Sequence, residues 1–189
     1  FKLKKKNVLV TFHPVTLEIK TSKKHFQELL NSIDELEDTN IIFTKANSDA
    51  DGKIINQMID KYISKNSDKS IGVASLGQLN YLSALQYVDF VIGNSSSGLL
   101  EVPSFRIGTI NIGNRQNGRI KADSVVDCLP NKKSIKKAIK IVYSKKFQKF
   151  LKDVKNPYGD ECASKKIIKV LKSVKLENIL KKTFFDIKF

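Results

Sequence analysis

An α/β fold built on a doubly wound parallel sheet is predicted by three features of the sequence. Six short apolar runs alternate with amphipathic stretches over residues 1–130, a pattern that calls for strands joined by right-handed helical crossovers. At 88–98, VDFVIGNSSSG, an apolar strand runs directly into a turn of small residues, as strands do where a parallel sheet meets its next helix. With 189 residues and 41% apolar content, the chain can bury one good core with a helical annex.

The elements follow in order. Residues 7–12 read as a buried strand, and 22–36 as a helix with Phe26, Leu29, Leu30 and Ile33 on one face. The second strand is 40–44, followed by a helix over 51–63 whose stripe is Ile54, Ile55, Met58, Ile59 and Tyr62. Residues 70–74 are a strand and 78–87 a helix; 88–92, 107–112 and 124–128 supply the last three strands. From 131 onward lysines alternate with Ile135, Ala138, Ile139 and Val142, and later with Ile167, Leu171 and Val174, the spacing of amphipathic helices. Residues 1–130 are thus expected to form the core, with 131–189 a Lys-rich helical tail packing on the same domain.

The turn after the fourth strand is the strongest candidate site. Unpaired N–H groups at a helix start, its dipole and the hydroxyls of Ser95, Ser96 and Ser97 would converge on an anion such as a phosphate. Asn94 and the serines also suit plain helix capping. All three arginines, Arg106, Arg115 and Arg119, lie in one fourteen-residue stretch, 106–119, after the helix that follows, and every other basic residue is lysine. Phosphate recognition is one use of a planar, permanently charged fork. The loop NIGNRQNGR (111–119) leaves an apolar strand at the sheet edge expected to hold the serines.

Other polar residues gather at the same predicted edge. His13 closes the first strand in VTFHP, and the following Pro14 keeps it extended; it suits either a ligand site or a hydrogen-bonded structural role. Asn47 and Asp49 follow the second strand and serve equally as turn and cap residues. Tyr81 lies on the approach to the serines, as a core ring or as a platform for a nucleobase. Glu101 lies one turn past Ser97, at a spacing that does not match a capping box, and a ribose diol is a natural partner for a carboxylate beside a phosphate.

The net charge of +15 raises nucleic acid as a ligand, but its distribution argues against a specific reader. The excess belongs to residues 131–189, with eighteen lysines against five acidic residues and no arginine. General affinity for polyanions at low salt is expected there. No apolar run approaches the ~18 residues that span a bilayer, so no membrane partner is expected, and the start FKLKKKNVLV lacks the features of a signal peptide. Two cysteines, Cys128 and Cys162, and two histidines make neither a disulfide framework nor a metal set, and the expected compartment is the cytoplasm.

Together, VTFHPVT (10–16), NSDADG (47–52), IGNSSSGLLEVPSF (92–105), TINIGNRQNGRIKADSV (109–125) and NPYGDECAS (156–164) resemble the C-terminal domain of the hydrolysing UDP-N-acetylglucosamine 2-epimerases of sialic-acid biosynthesis. The resemblance implies a Rossmann-like domain forming the C-terminal half of a glycosyltransferase-B-type fold. It implies that Ser95 and Ser96 bind the diphosphate, Glu101 the ribose hydroxyls and Arg115 the phosphate side of the cleft. Tyr81 would cover the uracil face, Leu76 would offer backbone contacts to the base, and His13 would stand near the diphosphate and sugar as the catalytic candidate. The implied reaction eliminates UDP from UDP-N-acetylglucosamine and then adds water, giving N-acetylmannosamine and UDP with no metal or redox cofactor.

The family's N-terminal domain, which carries most of the acid and base carboxylates, is not represented, and Phe1 falls where the interdomain linker would be. The chain is therefore expected to bind UDP or UDP-N-acetylglucosamine but to turn over little alone, and the complete enzyme is expected to be a homo-oligomer. A UDP-linked diacetamido trideoxy sugar is the competing substrate. A nucleotide-sugar domain of a glycosyltransferase and a basic nucleic-acid-binding module are the alternative classes.

Overall fold

A computed structural model of the chain describes residues 2–15, 21–47, 51–159, 163–177 and 180–181. It divides into two compact units, residues 1–158 and 159–189. The first holds a six-stranded, wholly parallel sheet in the order β3-β2-β1-β4-β5-β6. The strands are β1 (Lys6–Thr11), β2 (Thr39–Thr44), β3 (Ser70–Val73), β4 (Phe90–Gly93), β5 (Gly108–Ile112) and β6 (Val125–Cys128). All six predicted strands form, and the doubly wound fold class is what the structure shows.

Alternation along the strands builds two cores, one on each face. Val8 and Val10 of β1, Ile41 and Phe43 of β2, Phe90 and Ile92 of β4, and Ile110 and Ile112 of β5 face one way. They are covered by α1 (Ser22–Ile33), α2 (Gly52–Lys65) and α5 (Lys132–Val142), through Phe26, Leu29, Ile55, Ile59, Ile135 and Ile139. Leu9, Ile42 and Val91 face the other way, toward Leu85 after α3 (Gly77–Ala84) and Val102 after α4 (Ser97–Leu100). Strands buried on both faces need apolar residues at successive positions, which is why VLV and FVI are continuous rather than alternating runs.

The lysine-rich stretch after 131 divides. Its first part makes α5, which buries the expected Ile135, Ala138, Ile139 and Val142 and starts at Asn131, whose Oδ1 accepts from Ser134 N–H at 2.9 Å. Glu28 of α1 accepts from the Lys132 N–H at 2.8 Å, so a carboxylate sits where the helix start favours negative charge. Short α6 (Lys145–Phe150) follows. In the second unit α7 forms over Ala163–Ser173, with Ile167 and Leu171 one turn apart. No described helix is long and apolar enough to cross a membrane. Cys162 and Asp49 lie outside the described residues.

Candidate functional site

The strand order places the chain's switch point between β1 and β4: connections run outward from β1 through β2 to β3, then cross back to β4 and proceed the other way. Loops leaving the carboxyl ends of β1 and β4 therefore diverge, opening the crevice where ligands bind in open α/β sheets. His13 follows β1, and Asn94 with the three serines follows β4.

Gly93 makes that junction possible. Its φ of +146° is one that residues with side chains rarely adopt, and a Cβ built there would lie 1.8 Å from the Thr11 carbonyl oxygen. The close approach lets Asn94 N–H donate to that same carbonyl at 3.1 Å, bringing the Asn94 side chain, 1% exposed, over the end of β1. Its Oδ1 accepts from His13 N–H and its Nδ2 donates to His13 C=O, each at 2.7 Å. The imidazole is turned toward β2, with Nδ1 3.3 Å from Asn47 Oδ1 and 3.5 Å from the Asn47 backbone nitrogen.

The serine turn keeps donors open. Ser97 N–H points to Ser95 Oγ at 3.4 Å, while the N–H groups of Ser95 and Ser96 have no hydrogen-bond partner among the described residues. The helix that follows, α4, is four residues long and passes into a 3-10 turn over Val102–Phe105. Attraction for an anion here rests on these local N–H groups and hydroxyls rather than on a long helix dipole.

Tyr81 of α3 is hydrogen-bonded through its hydroxyl to Ser97 Oγ, while its ring packs with Leu76 and Leu82 against the second core. Burial pushes its phenol up to about 12, with Ser97 opposing and Glu101 adding to the shift. Glu101 is half-buried one turn after Ser97, to whose carbonyl its N–H donates at 2.9 Å, and burial raises its carboxyl above the usual range. Leu76 stands immediately before α3.

Of the three clustered arginines, Arg115 has a side-chain hydrogen bond at this edge. Arg115 Nη1 donates to the Asn94 carbonyl at 3.1 Å. Arg106 precedes β5 in a left-handed conformation, φ 56°, and so lies at the opposite end of a strand whose far end carries Arg115; Arg119 is exposed. Sequence proximity misleads here because a five-residue strand separates Arg106 from the loop. Gln116, 1% exposed, donates from Nε2 to the same Asn94 carbonyl at 2.7 Å. Nothing in the pattern NRQNG distinguishes Gln116 from its exposed neighbours, so sequence reasoning passes over it. The NPYG segment also braces the site: Asn156 Nδ2 donates to Leu100 C=O at the end of α4, and Tyr158 hydroxyl donates to Ile120 C=O in the Arg115 loop.

The structure thus gathers His13, Asn47, Asn94, the serines, Tyr81 and Glu101 at the carboxyl edge, joined there by Arg115. Among the described residues no cluster of three or more His, Cys, Asp or Glu is placed to hold a metal. Cys128, at the end of β6, is pushed up to about 12 by burial and the neighbouring Asp127, so its thiol is not activated.

Residues 2–172 match the family model of UDP-N-acetylglucosamine 2-epimerase. The chain is 42% identical over 187 residues to a GDP/UDP-N,N'-diacetylbacillosamine 2-epimerase (hydrolyzing) of Campylobacter jejuni, covering 98% of this chain and 48% of that protein. It is 37% identical to the polysialic acid biosynthesis protein P7 of Escherichia coli, covering 98% and 47%. Among solved structures it resembles that of S. aureus MnaA with UDP, with a TM-score of 0.68 at 19% identity, over 88% of this chain and 44% of that one. The chain spans about half the length of the curated relatives it matches.

Proposed function

The chain belongs to the UDP-N-acetylglucosamine 2-epimerase family, and from that premise we propose that it is the UDP-binding half of a hydrolysing UDP-sugar 2-epimerase. The observation that carries this reading is the convergence, at the β1/β4 switch point, of open Ser95 and Ser96 N–H groups with Arg115, Glu101 and His13.

In this reading the Ser95–Ser96 turn and Arg115 take the diphosphate, and Glu101 accepts hydrogen bonds from the ribose hydroxyls. Tyr81 and the Leu76 backbone lie on the uracil side, and His13 stands beside the diphosphate and the sugar. Elimination breaks the bond from the anomeric carbon to the UDP oxygen, so negative charge grows on the departing diphosphate. Fixed donors aimed at that charge lower the barrier without reorganising. Hydration of the unsaturated 2-acetamido sugar then yields the epimer. The protons removed and returned in these steps require groups beyond those at this edge, so the chain alone is expected to bind UDP with little turnover.

Two sugars fit the family. UDP-N-acetylglucosamine is the primary reading; the Campylobacter relative, named for diacetylbacillosamine, favours a UDP- or GDP-linked diacetamido sugar as the second. The test is calorimetric titration with UDP, GDP, CMP and ADP at ~0.3 M salt, where diffuse lysine attraction is largely screened. Saturable binding of UDP, stronger than of CMP or ADP and lost in Ser95→Ala/Ser96→Ala, is the expected result. Equal weak binding of every nucleotide, indifferent to the serine changes, would overturn it.

A further inference from the structure

The Asn94 carbonyl accepts two hydrogen bonds from adjacent residues, one from Arg115 Nη1 and one from Gln116 Nε2. A carbonyl oxygen has two lone pairs, so both are occupied. The Gln116 amide is nonetheless only half satisfied: its Oε1 is buried and has no hydrogen-bond partner among the described residues. A buried oxygen without a donor destabilises the fold, and an apolar side chain of similar shape would avoid that loss. Stability is therefore a poor account of a glutamine here, and its one made bond needs another.

That bond lies in a segment whose backbone closes on itself and on β6, with Asn117 N–H donating to Asn114 C=O and Gly113 N–H to Cys128 C=O, each at 2.8 Å, while the side chains of Arg115 and Gln116 tie it to Asn94. Gly113 and Gly118 flank Gln116 with φ of +75° and +78°, and a Cβ at either would meet nothing within 4 Å. Two left-handed glycines make the turns at either side of Arg115 and Gln116, a backbone conformation that residues with side chains rarely adopt. Between them Asn114 and Asn117 are exposed, and Gln116 is buried. The same Asn94 also grips the main chain of His13 with both side-chain groups, so one buried residue serves the loops after β1, β4 and β5.

We propose that Gln116 is a positioning residue for Arg115: by sharing the Asn94 carbonyl it fixes the loop so that the guanidinium faces the Ser95–Ser96 turn before ligand arrives. The inference rests on the UDP-binding reading. A guanidinium carries five N–H donors, and the one given to Asn94 leaves four for two phosphate oxygens. Holding that fork in place beforehand removes an ordering cost from binding.

The test is a double-mutant cycle on the whole chain. UDP and uridine are titrated against wild type, Gln116→Met, Arg115→Ala and the pair, and each variant is melted. Gln116→Met keeps the shape but removes both polar atoms. It is expected to weaken UDP about tenfold, leave uridine unchanged and leave Tm within about 3 °C of wild type. In the Arg115→Ala background the same change is expected to weaken UDP less than about twofold, since the two residues act through one contact. Should Gln116→Met fail to fold, Gln116→Asn, one methylene too short for the carbonyl, carries the same expectation.

Additive losses in the cycle, or equal weakening of UDP and uridine with a falling Tm, would overturn the positioning role while leaving UDP binding intact. Unchanged UDP affinity in Gln116→Met would do the same. A wild type that binds no UDP would overturn the reading of the site and this role with it.

Discussion

Asn94 takes both main-chain hydrogen-bonding groups of His13, accepting its N–H and donating to its C=O at 2.7 Å each. One amide side chain thereby closes the end of β1 as a further strand residue would, and fixes where the imidazole leaves the backbone. Replacing Asn94 with alanine removes these two hydrogen bonds from the half-buried main chain of His13, with an expected loss of ~2–4 kcal/mol. Urea unfolding followed by circular dichroism measures it, and a loss under ~0.5 kcal/mol would show that solvent satisfies these groups.

Gly93 admits no side chain. Its φ of +146° and the 1.8 Å from a built Cβ to Thr11 O mean that Gly93→Ala must push β4 away from β1 at the switch point. The expected loss is at least ~3 kcal/mol, from strain added to broken strand pairing. Tm and soluble yield report it; a variant that melts with wild type would show that the strands can part there freely.

Glu101 links stability to pH with a definite sign. Burial raises its carboxyl in the folded chain, so the folded state holds that proton more tightly than the unfolded state. Its contribution is fully present below the unfolded value and declines as pH rises through the raised folded value. Glu101→Gln is therefore expected to melt above wild type at pH ~7 and level with it near pH ~4. The same variant is expected to bind UDP about tenfold more weakly, because an amide is a poorer acceptor for a ribose diol than a carboxylate. Melting curves and titrations across pH check both halves.

Glu35 behaves in the opposite sense. Its hydrogen bonds from Lys132 and then Lys136 bring its carboxyl down to about 2, tying the turn after α1 to α5. The contribution is present above the ordinary carboxylate value and disappears as pH falls through about 2. The pair is exposed, so the effect is small and salt-sensitive. Glu35→Gln is expected to lower Tm slightly at neutral pH and low salt, with the difference closing near pH ~2 and in ~1 M salt. A difference that persists at high salt would point to packing instead.

Much of this architecture is legible in the chain. The continuous apolar runs VLV and FVI announce strands covered on both faces, and the Phe26, Leu29, Leu30, Ile33 stripe announces the helix that covers one of them. The residues proposed to contact a nucleotide, Ser95, Ser96, Glu101 and Arg115, stand out because hydroxyls, a carboxylate and a rare arginine are conspicuous at strand ends. Arg106 shows the limit: it is closer to the serine turn in sequence than Arg115 is, yet β5 carries the two arginines to opposite ends of a strand.

The sequence by itself determined the secondary structure, the class of fold and the chemistry available at the sheet's carboxyl edge, since these depend on local periodicity and residue type. Tertiary structure alone decided that β1 and β4 are neighbours, that Asn94 reaches back 81 residues to His13, and that Gln116 is buried on the Asn94 carbonyl. Those relations depend on the order in which strands pair and on which loop then covers which, and no residue's own type or spacing encodes them.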